Sequence, residues 1–152
     1  MNDASDMETF KQIMHNTGRR RSECQCGRCK DQCRTPCLGT PGDILRLIDK
    51  GYAGKLAISC WMVGMAVGKL SIPIPMVQAR RTENGCIFFR DGLCELHDLG
   101  LKPTEGKLSH HVPKPENFIF EFSLVWNVAR EWIRPANLEK ILKVFVIMSD
   151  RN

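Results

Sequence analysis

Cys24-Gln25-Cys26-Gly27-Arg28-Cys29-Lys30-Asp31-Gln32-Cys33-Arg34-Thr35-Pro36-Cys37 holds five of the chain's eight cysteines, at successive spacings of two, three, four and four. Sulfur geometry separates the readings of such a run. A disulfide needs Cα atoms about 4.4–6.8 Å apart with a set torsion, and bridges closing loops this small constrain the unfolded chain little. Metal binding suits the spacing better, because Cys-x2-Cys and Cys-x3-Cys let neighbouring thiolates converge on one ion at about 2.3 Å. The stretch is therefore read as a metal or cluster site, with the metal left open.

Composition bounds the rest. At 152 residues the chain suits a single domain with a modest core. Its ordinary hydrophobic and charged fractions point to a soluble globular protein. The opening Met1-Asn2-Asp3-Ala4-Ser5-Asp6 has no positive region followed by an apolar run, so no secretory signal is expected. No apolar run approaches the roughly 18 residues of a membrane span. A reducing cytoplasm is the expected location, where clustered cysteines are more often ligands than bridges.

The net charge of +5 is partly local to the cysteines. Arg19, Arg20, Arg21, Arg28, Lys30 and Arg34 stand there against Glu23 and Asp31, an excess of four positive charges (six minus two). Four thiolates on one Zn²⁺ carry about −2, so this excess reads as counter-charge or as solvated surface before it reads as a phosphate contact. Nucleic-acid binding, also prompted by Arg80-Arg81, is disfavoured. The chain lacks the interleaved aromatics of a single-strand platform and a recognition helix after a finger.

Residues 1–21 are polar, with Met7, Phe10, Ile13 and Met14 at helical spacing, which gives either a short amphipathic helix or a frayed, flexible segment. His15 reads as a surface residue. Irregular turns are expected through the cysteines, with one helical turn around Lys30 to Cys33, held mainly by ligand bonds. Structural zinc supplies roughly 10–16 kcal/mol in small peptides, as much as a whole domain's stability of roughly 5–15 kcal/mol. Thr40, Pro41 and Asp43 then form a capping box opening a helix that Gly51 closes. The Gly39–Gly42 run lacks the Gly-Lys-Ser/Thr of a phosphate loop and is read as capping.

Leu56 to Val63 reads as a buried strand or helix, with Cys60 a small core residue. Pro73 and Pro75 make the following Leu70–Val77 an edge strand or an extended surface segment. Asp91-Gly92 is a hairpin turn between short apolar runs, expected to bring Cys86 and Cys94 to adjacent strand ends. A local Cys86–Cys94 disulfide is disfavoured by the expected compartment. His97 is read as a cap or core residue with a ligand role as the alternative, and His110-His111 lack a defined spacing to the cysteines. Phe118, Phe122, Val125, Trp126, Ala129, Trp132 and Ile133 mark one face of an amphipathic helix. Pro135 opens a second helix with Leu138, Ile141, Leu142, Phe145 and Val146 on its buried side. Val144 to Met148 is apolar all round, so this helical hairpin is expected either to pack on the cysteine-bearing half or to form a homodimer.

Cys26-x2-Cys29-x3-Cys33 together with Cys86 and Cys94 resembles the zinc- or iron-chelating domain family, also called YkgJ-like. That family shows Cys-x2-Cys-x3-Cys-Cys, a cysteine pair around a short apolar hairpin, and an Arg-Pro-x2-Cys element. The resemblance runs from about Cys24 to Lys107. Arg34 stands where the fourth opening cysteine belongs, with Cys37 three residues on as a substitute, and Lys102-Pro103-Thr104-Glu105-Gly106 puts Gly106 in place of the last cysteine. The resemblance implies metal or iron–sulfur binding and no reaction.

The expected fold is α+β and mainly helical: a metal-organised cysteine-rich region over 22–111 with a short β-hairpin, then a helical part over 112–152. The candidate ligands are Cys26, Cys29, Cys33, Cys37, Cys86 and Cys94, binding a zinc or iron ion in a structural or metal-handling role. Cys24, Cys60, His97, His110 and His111 stay unassigned. Six thiols exceed one tetrahedral zinc, and an all-thiolate shell leaves no open position for activating water. An iron–sulfur cluster is the alternative. Thiol redox catalysis at Cys26 and Cys29 is a further one, for which the strand-to-helix context of a thioredoxin-like site is missing.

Overall fold

A computed structural model describes residues 4–21, 24, 26–109 and 118–151. Its best-signalled element forms as the sequence predicts. Helix α3 spans Pro41–Asp49, following α1 (Ala4–Thr17) and α2 (Gly27–Gln32). Thr40 Oγ1 accepts from the Asp43 amide at 3.1 Å and Asp43 Oδ2 accepts from the Thr40 amide at 2.9 Å, so the capping box is complete. Asp43 does more than cap. The same Oδ2 accepts from the Thr104 amide at 2.8 Å and from its hydroxyl at 2.6 Å, fastening α3 to α5 (Thr104–Leu108) across the fold.

Strand β1 (Leu56–Trp61) pairs antiparallel with β2 (Ile74–Ala79), Leu56 opposite Ala79 and Trp61 opposite Ile74, with the short helix α4 (Val63–Ala66) between them. This settles Leu56–Trp61 as strand, with Val63 already in α4, and Ile74–Ala79 as an edge strand. It also corrects the placing of Cys60. Adjacent strand residues face opposite sides, and Trp61 turns inward to stack on Trp126 with centroids 6.2 Å apart. Cys60 consequently faces outward, exposed and opposite exposed Pro75.

Two two-residue pairings follow the larger sheet. β3 (Arg81–Thr82) pairs with β4 (Gly85–Cys86), and β5 (Phe89–Arg90) pairs with β6 (Leu93–Cys94) through the turn at Asp91-Gly92, both residues having positive φ. The N-terminal segment forms α1, which buries Ile13 and packs on α6 (Leu124–Ala129).

The C-terminal helical pair is present, with two corrections. Phe118 to Ile133 is not one helix. Ser123 caps α6 by accepting from the Trp126 amide, the segments Phe120–Phe122 and Arg130–Trp132 are 3₁₀ turns, and Phe118, Phe122 and Ile133 are exposed. Two anchors break the continuity: Phe120 stacks on Trp126 at 5.0 Å, and the Trp132 indole donates to Gly39 O at 2.8 Å. The last helix, α7 (Leu138–Ser149), buries Val144 and Met148 against α3 and β1 and leaves Leu138, Leu142 and Val146 exposed. Ile141 and Phe145 of the expected face do pack on the core, but because the segment is apolar around its circumference, periodicity alone did not single out Val144 and Met148. One hydrophobic cluster runs from Ile13 to Met148, joining both ends of the chain around β1, β2 and α3.

Asp43 accepts three hydrogen bonds from buried donors, so Asp43→Ala should cost roughly 3 kcal/mol, and Thr104→Val about 1 kcal/mol. Urea unfolding of the two variants checks the order.

Candidate metal centre

Four chain segments converge on the site. In the first, the six-residue helix α2 puts Cys29 inward, 1% exposed, while Cys26 stands at its N-terminus. Cys26 Sγ and Cys29 Sγ lie 3.6 Å apart, and Cys24, Cys26 and Cys29 bring their sulfurs within 4.8 Å of one another. Two thiolates sharing one tetrahedral ion at about 2.3 Å would be separated by roughly 3.8 Å, so this trio already has ligand spacing. Cys24, left unassigned from the sequence, belongs with the two cysteines that follow it, and its Cys-x-Cys spacing to Cys26 was the available signal.

The second segment carries Cys33 and Cys37, the third Cys86 and Cys94, and the fourth Lys102 to Gly106. Cys33, Cys37, Cys86 and Cys94 line one small cavity of about 30 Å³ together with Lys102 and Gly106. A second of about 20 Å³ lies between Cys24, Cys29, Cys33, Cys94, His97 and Lys102. Cys86, on β4 opposite Arg81, and Cys94, opposite Phe89 in the Asp91-Gly92 hairpin, line the same cavity from two different strand pairs; among the described residues, Cys24, Cys26 and Cys29 are the group whose sulfurs lie within 4.8 Å of one another. The exposed thiol of Cys60 lines neither cavity, and His110 and His111 lie outside the described residues. All eight cysteines carry thiols; none is in a disulfide.

Backbone contacts set these positions. Leu38 is clamped to α5 twice, its amide donating to Glu105 Oε1 at 2.7 Å and its carbonyl accepting from the Glu105 amide at 3.0 Å. This fixes Cys37 beside Gly106, where a Cβ would lie 3.1 Å from Cys37 Sγ. The Cys86 amide donates to Arg34 O at 2.7 Å. Gly85 allows that approach: its φ is +103° and a Cβ would come within 2.5 Å of the same oxygen.

The electrostatics are those of thiols awaiting a cation. Cys33 is pushed down to about 6, first by its hydrogen bond with Cys94, with nearby Lys102 and His97 adding to the effect against burial. Cys94 is raised by the same hydrogen bond and by burial. Cys37 and Cys86 are raised chiefly by burial, and Cys26 is lowered chiefly by the Cys29 amide. Lys102, only 7% exposed, lines both cavities and hydrogen-bonds Cys33. A buried ammonium is costly without negative charge beside it, and thiolates supply that charge where neutral thiols do not.

The donor set fits a thiophilic cation, and cavities of 20–30 Å³ admit an ion or a water. Organic ligands occupy pockets of about 300–1,000 Å³. An open groove of about 920 Å³ beside Arg34, Arg81 and Arg90 contains no cysteine. No family model, curated protein or solved structure matches this chain.

The two parts of the cysteine run differ in what holds them: Cys37 sits in a hydrogen-bonded loop, Cys29 on a helix of under two turns that Cys26 precedes. Chelation under reducing conditions should accelerate amide exchange at Cys29 to Cys33 at least tenfold and leave Ile44 to Ile48 protected. Hydrogen-exchange mass spectrometry on metal-loaded and chelated protein reads both segments at once.

Proposed function

We propose that this chain is a metal-binding protein in which Cys26, Cys29, Cys33, Cys37, Cys86 and Cys94, joined by Cys24, hold zinc or iron in a structural or metal-handling role. The observation that carries this is the gathering of six of the eight cysteines around two ion-sized cavities that a buried lysine also lines, with Cys26 within 4.8 Å of Cys24 and Cys29. The likeness of the cysteine pattern to zinc- or iron-chelating domains supports the same reading. When bound, the metal would supply cross-links between segments distant in sequence, and binding would release protons from the raised thiols Cys37, Cys86 and Cys94.

The 3.6 Å separation of Cys26 and Cys29 favours single ions over a four-iron cluster. In such a cluster each cysteine binds its own iron, which holds ligand sulfurs further apart than ligands sharing one ion. Thiolate-saturated zinc has no open position for water, so hydrolysis is disfavoured. Thiol redox catalysis needs an accessible thiolate, and Cys29, the partner of Cys26, is buried.

Elemental analysis and a visible spectrum of anaerobically purified protein test the reading. Colourless protein with at least one zinc or iron per chain is expected. Brown protein with inorganic sulfide would replace single ions by a cluster, and protein with neither metal would overturn the reading. Cys29→Ser should lower metal content at least twofold, whereas Cys60→Ser, on the exposed side of β1, should leave it unchanged.

A further inference from the structure

We infer that the thiols form two separate metal positions, an outer one held by Cys24, Cys26, Cys29 and His97 and an inner one held by Cys33, Cys37, Cys86 and Cys94. The inference rests on the metal-binding reading above and adds the number of ions, the division of ligands and a histidine ligand.

Counting donors gives the first argument. Seven thiols are too many for one tetrahedral ion and one too few for two unless a further donor is present or a thiolate bridges. The cavities divide the donors unequally in position but evenly in number. Cys37 and Cys86 face only the inner cavity, while Cys24, Cys29 and His97 face only the outer one. Cys26 goes with the outer set through its 3.6 Å contact to Cys29. Cys33 and Cys94 line both cavities and so form the partition between them.

The inner position needs Cys33 and Cys94 to reach four ligands. Its other walls are Gln32, Thr35, Ala79, Phe88, Leu96, Lys102, Pro103, Gly106 and Ser109, and none of these side chains is a usual zinc ligand. The outer trio needs one more donor, and His97 is the imidazole on its wall. His97 is three residues beyond Cys94, in the turn that follows β6, so the strand that delivers an inner ligand also delivers the outer one. Two thiolate-rich ions side by side would repel through their excess negative charge. Lys102, buried and lining both cavities, stands where that repulsion is greatest.

The test is titration of the full-length, metal-stripped, reduced protein with Co²⁺ alone, followed by visible absorption and by metal content after desalting. Two equivalents with tetrahedral d–d bands are expected. Cys37→Ser and Cys24→Ser should each retain one equivalent, about half the wild-type absorbance. The ion left in Cys37→Ser should absorb at shorter wavelength, since one imidazole replaces sulfur in its shell, and the ion left in Cys24→Ser should show an all-sulfur spectrum. His97→Cys keeps a donor in place and should bind two equivalents that both look all-sulfur, a readout independent of whether the serine variants fold. A single equivalent in wild type would overturn the two-ion inference and leave metal binding standing, whereas no bound cobalt would sink both. Loss of both ions on substituting either Cys33 or Cys94 would overturn the division in favour of one bridged cluster.

Discussion

Two carboxylates hold the cysteine-bearing loop against the second half of the chain, and the geometry of the site depends on them. Glu105 clamps Leu38 from both sides of its peptide unit, and Asp43 gathers the amides of Thr40 and Thr104 with the Thr104 hydroxyl on one oxygen. Both contacts lie within a few residues of Cys37. They place its sulfur against Gly106, in the cavity that Lys102 also lines. Burial raises the Glu105 carboxyl, so the clamp is an interaction the fold maintains against a desolvation cost.

This arrangement separates a preorganised part of the centre from an adaptable one. Cys37, Cys86 and Cys94 sit on backbone that is paired or hydrogen-bonded elsewhere in the fold, through Leu38, Arg34 and the β5–β6 hairpin. Cys29 sits on the short helix α2, buried, and Cys26 is that helix's N-cap. An isolated helix of this length is unstable in water, so its order is coupled to whatever its sulfurs hold.

Much of the fold was legible because local chemistry left little choice. The Thr40-Pro41-Gly42-Asp43 box, the Asp91-Gly92 turn and the proline-marked edge strand each formed where side-chain chemistry required it. Where the signal was apolar periodicity alone, it held for α1 and failed in the C-terminal part. The stretch from Phe118 to Ile133 broke because Phe120 and Trp132 found partners, Trp126 and Gly39 O, that a continuous helix could not offer. On α7, apolar residues on every side let tertiary packing choose Val144 and Met148 over Leu142 and Val146.

The sequence by itself determined that cysteines would cluster, since spacing along a flexible stretch limits how far apart neighbouring sulfurs can be. It also determined the hairpin that returns Cys94 opposite Phe89. Only the tertiary structure decided that Cys60 would stand apart, because strand alternation assigned the interior to Trp61. Packing likewise brought His97 and Lys102 to the sulfurs, which no spacing encodes, since they approach through contacts between segments some sixty residues apart such as Asp43 with Thr104. Ligand type is a local property of the chain, whereas the partition of ligands around a centre belongs to the fold.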